Sequence, residues 1–293
     1  MIRRVLILCF VFTLFYIGII RLQLYFARNS KQPAPIVNDT QEDPKHKLYL
    51  FSFAKYTPSG EKEIEIEGDS ANILDQTVVL MNVVAKAYAE ETAVTITADH
   101  GNYDKKANEV HLNKNVVATT ENGTRLLTEE LMIQPSDRKI DTDVQAKVKK
   151  DNISIDGLGA SGDTNLKKVK FKKNVTVVVQ DPKDKSNGPT TITCDGSLVI
   201  DYDKNIAHFK DNVVAQDKRG KLGADTMDVY YNKVTRQVAK IVAVGNVVIE
   251  NPDGNKTYSD SVIYLADEGR VILGGDAEAL YLGGDPAKQD MVF

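Results

Sequence analysis

Acidic side chains recur along this chain at intervals of roughly thirty residues, at Asp69, Asp99, Glu129, Asp156, Asp195, Asp225 and Asp260. A row of carboxylates is the raw material of general acid–base chemistry, as in a sugar-cleaving enzyme. That chemistry needs its acids gathered at one place. Here they come once per copy of a repeat with the same apolar neighbours, as a structural element does. The four histidines, His46, His100, His111 and His208, are scattered through the chain and suggest no metal triad. No nucleophile motif, phosphate loop or CxxC spacing occurs. Cys194 fills a slot taken in other copies by Gly68, Ala98, Thr128, Ile155, Ala224 and Ser259, so it reads as a packed core residue, and Cys9 lies in an apolar leader. The residues therefore point away from an enzyme, and neither a cofactor nor a metal is expected.

The elements that carry these acids follow from their neighbours. Three positions before the seven acids stand Ile66, Ile96, Leu126, Ile153, Ile192, Leu222 and Thr257, and four positions after them Ile73, Tyr103, Ile133, Ala160, Val199, Val229 and Tyr264. The second half of each copy centres on Asn82, Asn115, Asp143, Asn174, Asn212, Asn246 or Asp276. Around those centres apolar residues fall at minus three (Val79, Leu112, Ile140, Phe171, Phe209, Ala243, Leu273), plus one (mostly Val) and plus three (mostly Ala). One parity means a strand with one buried face. Polar segments such as 104–108, 203–205 and 232–235 are short enough for hairpins, so the copies form an antiparallel meander. In the first halves the apolar parity changes across the acid, which predicts a bulge or bend there with the carboxylate turned outward. Such bends fold a long meander over itself into a roll or sandwich with a shared apolar lining.

Composition agrees: the chain of 293 residues has no Trp, and its repeats are rich in Val, Ile and Thr, which favour strands. Residues 5–27 form an apolar run broken only by Thr13, Arg21 and Gln23, long enough as a helix to cross a bilayer core of ~30 Å. Arg3 and Arg4 precede it, so the N-terminus is expected in the cytoplasm and the repeats exported. No small-x-small cleavage site follows the run, which favours a retained anchor (1–28) over a cleaved signal peptide. Residues 29–46, with Pro33, Pro35 and Pro44, read as a flexible tether. Residues 1–28 hold four Arg and no acid, leaving 33 basic against 41 acidic residues beyond them, so nucleic-acid binding gains no support. The run Lys167, Lys168, Lys170, Lys172 and Lys173 reads as a solvated strand face.

With the segments 97–104 (TADHGNYD), 110–116 (VHLNKNV), 222–231 (LGADTMDVYY) and 245–249 (GNVVI) behind a single-span leader, the chain resembles the LptC/LptA (OstA-like) family of lipopolysaccharide transport proteins over roughly residues 48–282. The resemblance implies an all-β folded jellyroll, taco-like, in the periplasm. It implies as partners lipopolysaccharide, an inner-membrane ABC exporter that hydrolyses the nucleotide, and an LptA-type bridge protein or a second copy meeting edge to edge. The chain is longer than single-domain anchored members. That leaves room for a first jellyroll at 47–181 and a second, LptA-like one at 190–293, divided by the Pro- and Gly-containing segment 182–189.

A lipid carrier needs an apolar trough, because exposing acyl chains costs about 0.8 kcal/mol per CH₂. The candidate lining is Ile66, Val79, Ile96, Leu112, Val116, Leu126, Ile133, Ile140, Phe171, Val175, Val177, Ile192, Phe209 and Val213. Each also suits an ordinary closed core. The candidate edge for a partner is 277–282, with Ala277, Ala279 and Tyr281. The other reading of the same pattern is a membrane-anchored β-repeat scaffold without lipid cargo.

Overall fold

The computed structural model describes residues 46–280 apart from 89–92, 136, 138, 164–167, 181–187 and 234–236. The expected anchor and nearly all of the expected tether lie outside the described residues, as does Tyr281. The described residues all fall within one compact unit. Its described part is antiparallel sheet: β1 (His46–Tyr56), β2 (Lys62–Ile73), β3 (Thr77–Ala87), β4 (Val94–Asp104), β5 (Glu109–Thr120), β6 (Arg125–Gln134), β7 (Lys139–Lys150), β8 (Ile153–Asp163), β9 (Lys168–Val179), β10 (Thr190–Cys194), β11 (Leu198–Asp201), β12 (Ile206–Asp217), β13 (Gly220–Tyr231), β14 (Val238–Glu250), β15 (Lys256–Leu265), β16 (Arg270–Gly274) and β17 (Glu278–Leu280). Each pairs with its neighbour in sequence. β10 and β11 are two halves of one rung, both lying between β9 and β12, and β16 and β17 share the far side of β15. The meander read from the sequence is therefore present, and it fits a β-jellyroll.

Every long strand is bent where the repeat centres lie, and the bend has a local cause. Asn82, Asn115, Asn174, Asn212 and Asn246 all adopt the left-handed conformation, with φ between 48° and 53°. Asn tolerates that region better than other residues with a side chain. In four copies its carboxamide then donates to the acid of the same copy: Asn82 to Asp69 (2.6 Å), Asn115 to Asp99, Asn212 to Asp195 and Asn246 to Asp225 (2.8 Å each). The recurring acid is thus an acceptor that fixes a corner. This accounts for the regular Asp…Asn spacing without any chemistry.

The predicted bulge needs one correction. The extra residue sits on the Asn strand, and the acid is the single residue opposite it. Lys114 and Asn115 (φ 66° and 50°) face Glu129, Asp211 and Asn212 (φ 65° and 50°) face Asp225, and Gly245 and Asn246 (φ 84° and 48°) face Asp260. Two left-handed residues in a row turn the strand sharply while the partner strand only bends.

Two copies are in a different register from the one expected. Through the strand pairing, the position three before each acid forms one row, and in that row Ile155 stands beside Leu126's partner Val148. The acid slot of the fourth copy is therefore Leu158, two residues beyond Asp156, and the Asn slot of the third copy is Gln145, two beyond Asp143. A slip of two leaves alternation unchanged, so it is invisible in the apolar pattern. These strands are held differently: Gln145 donates to Asp156, and the Lys172 stem crosses Gly159 to place its ammonium on Asp141 (3.0 Å) and Asp143. Gly159 has φ 71°, and a Cβ there would stand 2.6 Å from Lys172 Cδ. The bond from Lys172 holds the Asp143 carboxyl below the usual range, and Asp143 in turn raises the Lys172 ammonium.

Two tests follow from the corners. Asn115→Ala forces an ordinary residue into the left-handed region and removes the bond to Asp99, so urea denaturation should show a loss of about 1–3 kcal/mol, with Asn115→Gly costing clearly less. Equal losses would locate the effect in the hydrogen bond alone. Lys172→Met keeps the stem over Gly159 and removes the ammonium. Because the folded Asp143 pKa is depressed, its contribution is present above the unfolded carboxylate range and disappears as pH falls through the folded value. The stability gap between wild type and Lys172→Met should be full at neutral pH and close below about pH 4. A gap independent of pH would mean the stem alone matters.

Candidate lipid-binding face

Strand register strings the inward residues into lanes that run across the strands. One lane starts at Phe53 on β1 and passes through Ile66, Ala85, Ile96, Ala118 and Leu126 to Val148, Ile155 and Val177. It continues through Ile192, Ala215, Leu222 and Ile249 and ends at Thr257 and Ala279. Every strand pair contributes directly opposed side chains. Only Thr257 in the lane is polar.

On the other arm of the bend a second lane links Leu80, Gly101, Leu112 and Leu131. Beyond a polar interval it resumes with Ala160, Phe171, Leu198, Phe209, Met227, Ala243 and Val262. Further from the bend a third lane includes Val110, Ile133, Ile140, Val169, Ile200, Val229 and Ile241. Tyr103 and Tyr264 lie in it near the two ends.

Burial falls off with distance from the bend. At the crease Val83, Val116, Val175, Val213 and Val247 are at most 3% exposed, and the neighbouring strand sets a small side chain directly opposite each: Ala98, Thr128, Cys194, Ala224 and Ser259. The crease has no room for more. A Cβ on Gly101 would come within 3.1 Å of Val83, and one on Gly157 within 3.0 Å of Phe171. Leu126, Val148, Ile133, Ile140 and Val169, farther out on either arm, are half-buried. The inward face is thus sealed along its crease and accessible toward its rims.

The candidate lining residues distribute accordingly. Ile96, Leu112, Val116, Phe171, Val175, Val177, Ile192, Phe209 and Val213 are buried, and Ile66, Leu126, Ile133 and Ile140 are half-buried in the lanes. Val79 is a correction. β3 carries only one left-handed residue and keeps its register with β2, so Leu80 takes the inward place and Val79 falls in the outward row with Asn72 and Asn102. Val199 also misses the lanes, because the break between β10 and β11 turns Leu198 and Ile200 inward. Cys194 is buried as expected at 3%, and burial pushes its thiol pKa up.

The sequence reading passed over β1. Leu50 stands opposite the Asp69 corner with φ 49°, in the place where later strands have Asn, and Phe51 and Phe53 follow at plus one and plus three. β1 is therefore the second half of a further copy, detectable only by its two Phe. Ala277 and Ala279 are exposed at the other end, where β17 pairs with β15 alone among the described residues.

Three of the described histidines each meet one side-chain partner. His208 bonds Asp228, His100 Nδ1 meets Met81 Sδ at 3.1 Å, and His111 lies 3.6 Å from Glu109. Among the described residues no cluster of three potential metal ligands occurs. What the fold gathers is apolar surface.

Comparison with known families agrees. Residues 12–180 match the family described as lipopolysaccharide-assembly, LptC-related. Residues 191–285 match the LptA/(LptD N-terminal domain) lipopolysaccharide transport protein family. No curated protein matches the chain significantly. The chain accordingly belongs to the LptC-related lipopolysaccharide-assembly family and carries an additional LptA-like region behind its LptC-like one.

Proposed function

We propose that this chain is held in the inner membrane by residues 1–28, receives lipopolysaccharide from an ABC exporter, and passes its acyl chains along the apolar lanes toward the outer membrane. The observation that carries the proposal is the lane from Phe53 to Ala279. It connects both family regions without a polar interruption before Thr257, and it passes from one to the other at the directly opposed pair Val177 and Ile192. An acyl chain moving along such a surface never faces water, which would cost about 0.8 kcal/mol per CH₂.

The regions 47–181 and 190–293 act in this reading as two jellyroll modules fused through shared sheet. The LptA-like module supplies the first unit of the periplasmic bridge, and further LptA-type units or a second copy extend it from the edge near Ala277 and Ala279. The scaffold reading draws on the interior around Phe171, Phe209 and Met227, each at most 2% exposed. Under it the lanes are core and nothing else.

Photo-crosslinkers separate the two. Placed at Leu126 and Ile133, which face inward on opposite arms, they should capture lipopolysaccharide in cells. Placed at the next residues along, Leu127 and Met132, which face outward, they should not. Capture of protein alone, or equal capture from both faces, would leave the scaffold reading standing. Phe209→Ala should cost about 3–5 kcal/mol and abolish carriage through unfolding. Leu126→Asp, at a half-buried rim, should abolish lipid capture while leaving most of the stability.

A further inference from the structure

Beside the lane, on the outward face of the same arm, a row of charged residues runs across the strands. Toward its ends, opposite charges face each other: Glu65 is opposite Lys86, and Glu250 lies between Lys221 and Lys256, with an ion pair to Lys256 at 3.8 Å. In the middle the rule is broken. Arg125 on β6 stands directly opposite Lys149 on β7.

Like charges facing each other across strands destabilise a sheet. Here nothing neutralises them. The next residues in the row are Thr119 and Ser154, and the acids in the flanking turns, Glu121 and Asp151, form no ion pair with either cation among the described residues. The nearest acid on β8, Asp156, is taken by Lys147 and Gln145. Arg125 and Lys149 are exposed, and the half-buried Lys150 follows Val148 with inward parity, so it stands at the lip of the trough.

The position ties this cluster to the lane. Arg125 and Lys149 are the immediate neighbours of Leu126 and Val148, which oppose each other on the inward face. Three cations therefore surround the rim at which two half-buried aliphatic side chains begin the apolar surface. An amphiphile with its acyl chains on Leu126 and Val148 must carry its polar group past this rim.

We infer that Arg125, Lys149 and Lys150 form a subsite for the phosphate groups of an acylated amphiphile, engaged while its chains lie in the trough. The inference rests on the proposed lipid cargo and adds a headgroup requirement to it. A guanidinium offers paired donors to phosphate oxygens, and two ammonium groups supply charge from the other strand and from the lip. Bound phosphate also removes the repulsion between Arg125 and Lys149. The site lies within the LptC-like region, before the passage to the LptA-like one, so the anionic group is held before transfer along the lane.

The test uses the full chain in nanodiscs of zwitterionic lipid, with labelled bisphosphorylated lipid A and its dephosphorylated form as probes. Wild type should bind the phosphorylated form about tenfold more tightly, with the preference shrinking as salt rises. The double variant Arg125→Gln, Lys149→Gln should lose that preference, keep its affinity for the dephosphorylated form, and melt no lower than wild type without lipid. Lys86→Gln, on the same row, should keep the preference. Equal binding of both forms by wild type would overturn the subsite and leave the cargo reading intact, whereas binding of neither would overturn both. A double variant that keeps the preference, or loses both forms alike, also overturns it, as does displacement of the lipid by equimolar inorganic pyrophosphate.

Discussion

The structure depends on one corner, repeated: an Asn in the left-handed region donating its amide to a carboxylate on the preceding strand. A flat antiparallel meander of this length would bury only one face against nothing. The corner bends every strand at the same height, so two arms face each other and the apolar residues of both acquire a partner. Left-handed backbone costs an ordinary residue about 1–2 kcal/mol, and Asn lowers that cost while its side chain offsets part of the remainder. Four of the seven acids in the row that looks like a set of catalytic carboxylates serve in these contacts. Asp69, Asp99, Asp195 and Asp225 each accept from an Asn of their own copy.

From the corner follows the graded interior. Close to the bend space is short, so each Val in the crease row is paired across the strands with Ala, Cys, Ser or Thr. Farther out the arms diverge and Leu, Ile and Tyr occupy positions they do not fill. A closed sandwich and an open trough share the same alternation, yet they differ in where the large residues stand. Here Phe171, Phe209 and Met227 fill the middle of one arm, while Leu126, Ile133 and Ile140 remain half-buried nearer the rims.

Much of the fold was legible because the strand period is two and the copies are many. The side chains of the candidate lining residues other than Val79 point inward, in the lanes or at the crease, which concerns their direction and not binding. What escaped had local physical origins. The extra residue at Lys114–Asn115 shifts the register and keeps minus three inward, whereas β3 runs through Asn82 in unbroken register with β2, which turns Val79 out and Leu80 in. Both corners read alike as an Asn before a Val. The slip of two residues at Asp143 and Asp156 preserved parity and so left no trace in the pattern. Leu50 was missed because its corner lacks Asn. The outward cation pair required the cross-strand register, which no single strand records.

Joining the two family regions in one chain changes the energetics of the path itself. Two separate jellyrolls that meet edge to edge must recover the translational and rotational freedom lost on docking, on the order of 4–15 kcal/mol. They also leave strand edges exposed whenever they part. Here β9 and the β10–β11 rung share backbone hydrogen bonds, and Phe171, Val175 and Val177 pack in one cluster with Ile192, Leu198 and Phe209. The passage between regions is therefore as tightly built as any other strand pair, and no docking equilibrium interrupts the lane there. Among the described residues the unpaired strand edges are those of β1, β16 and β17, where Leu48, Leu50 and Phe53 at one end and Ile272 and Leu280 at the other are exposed.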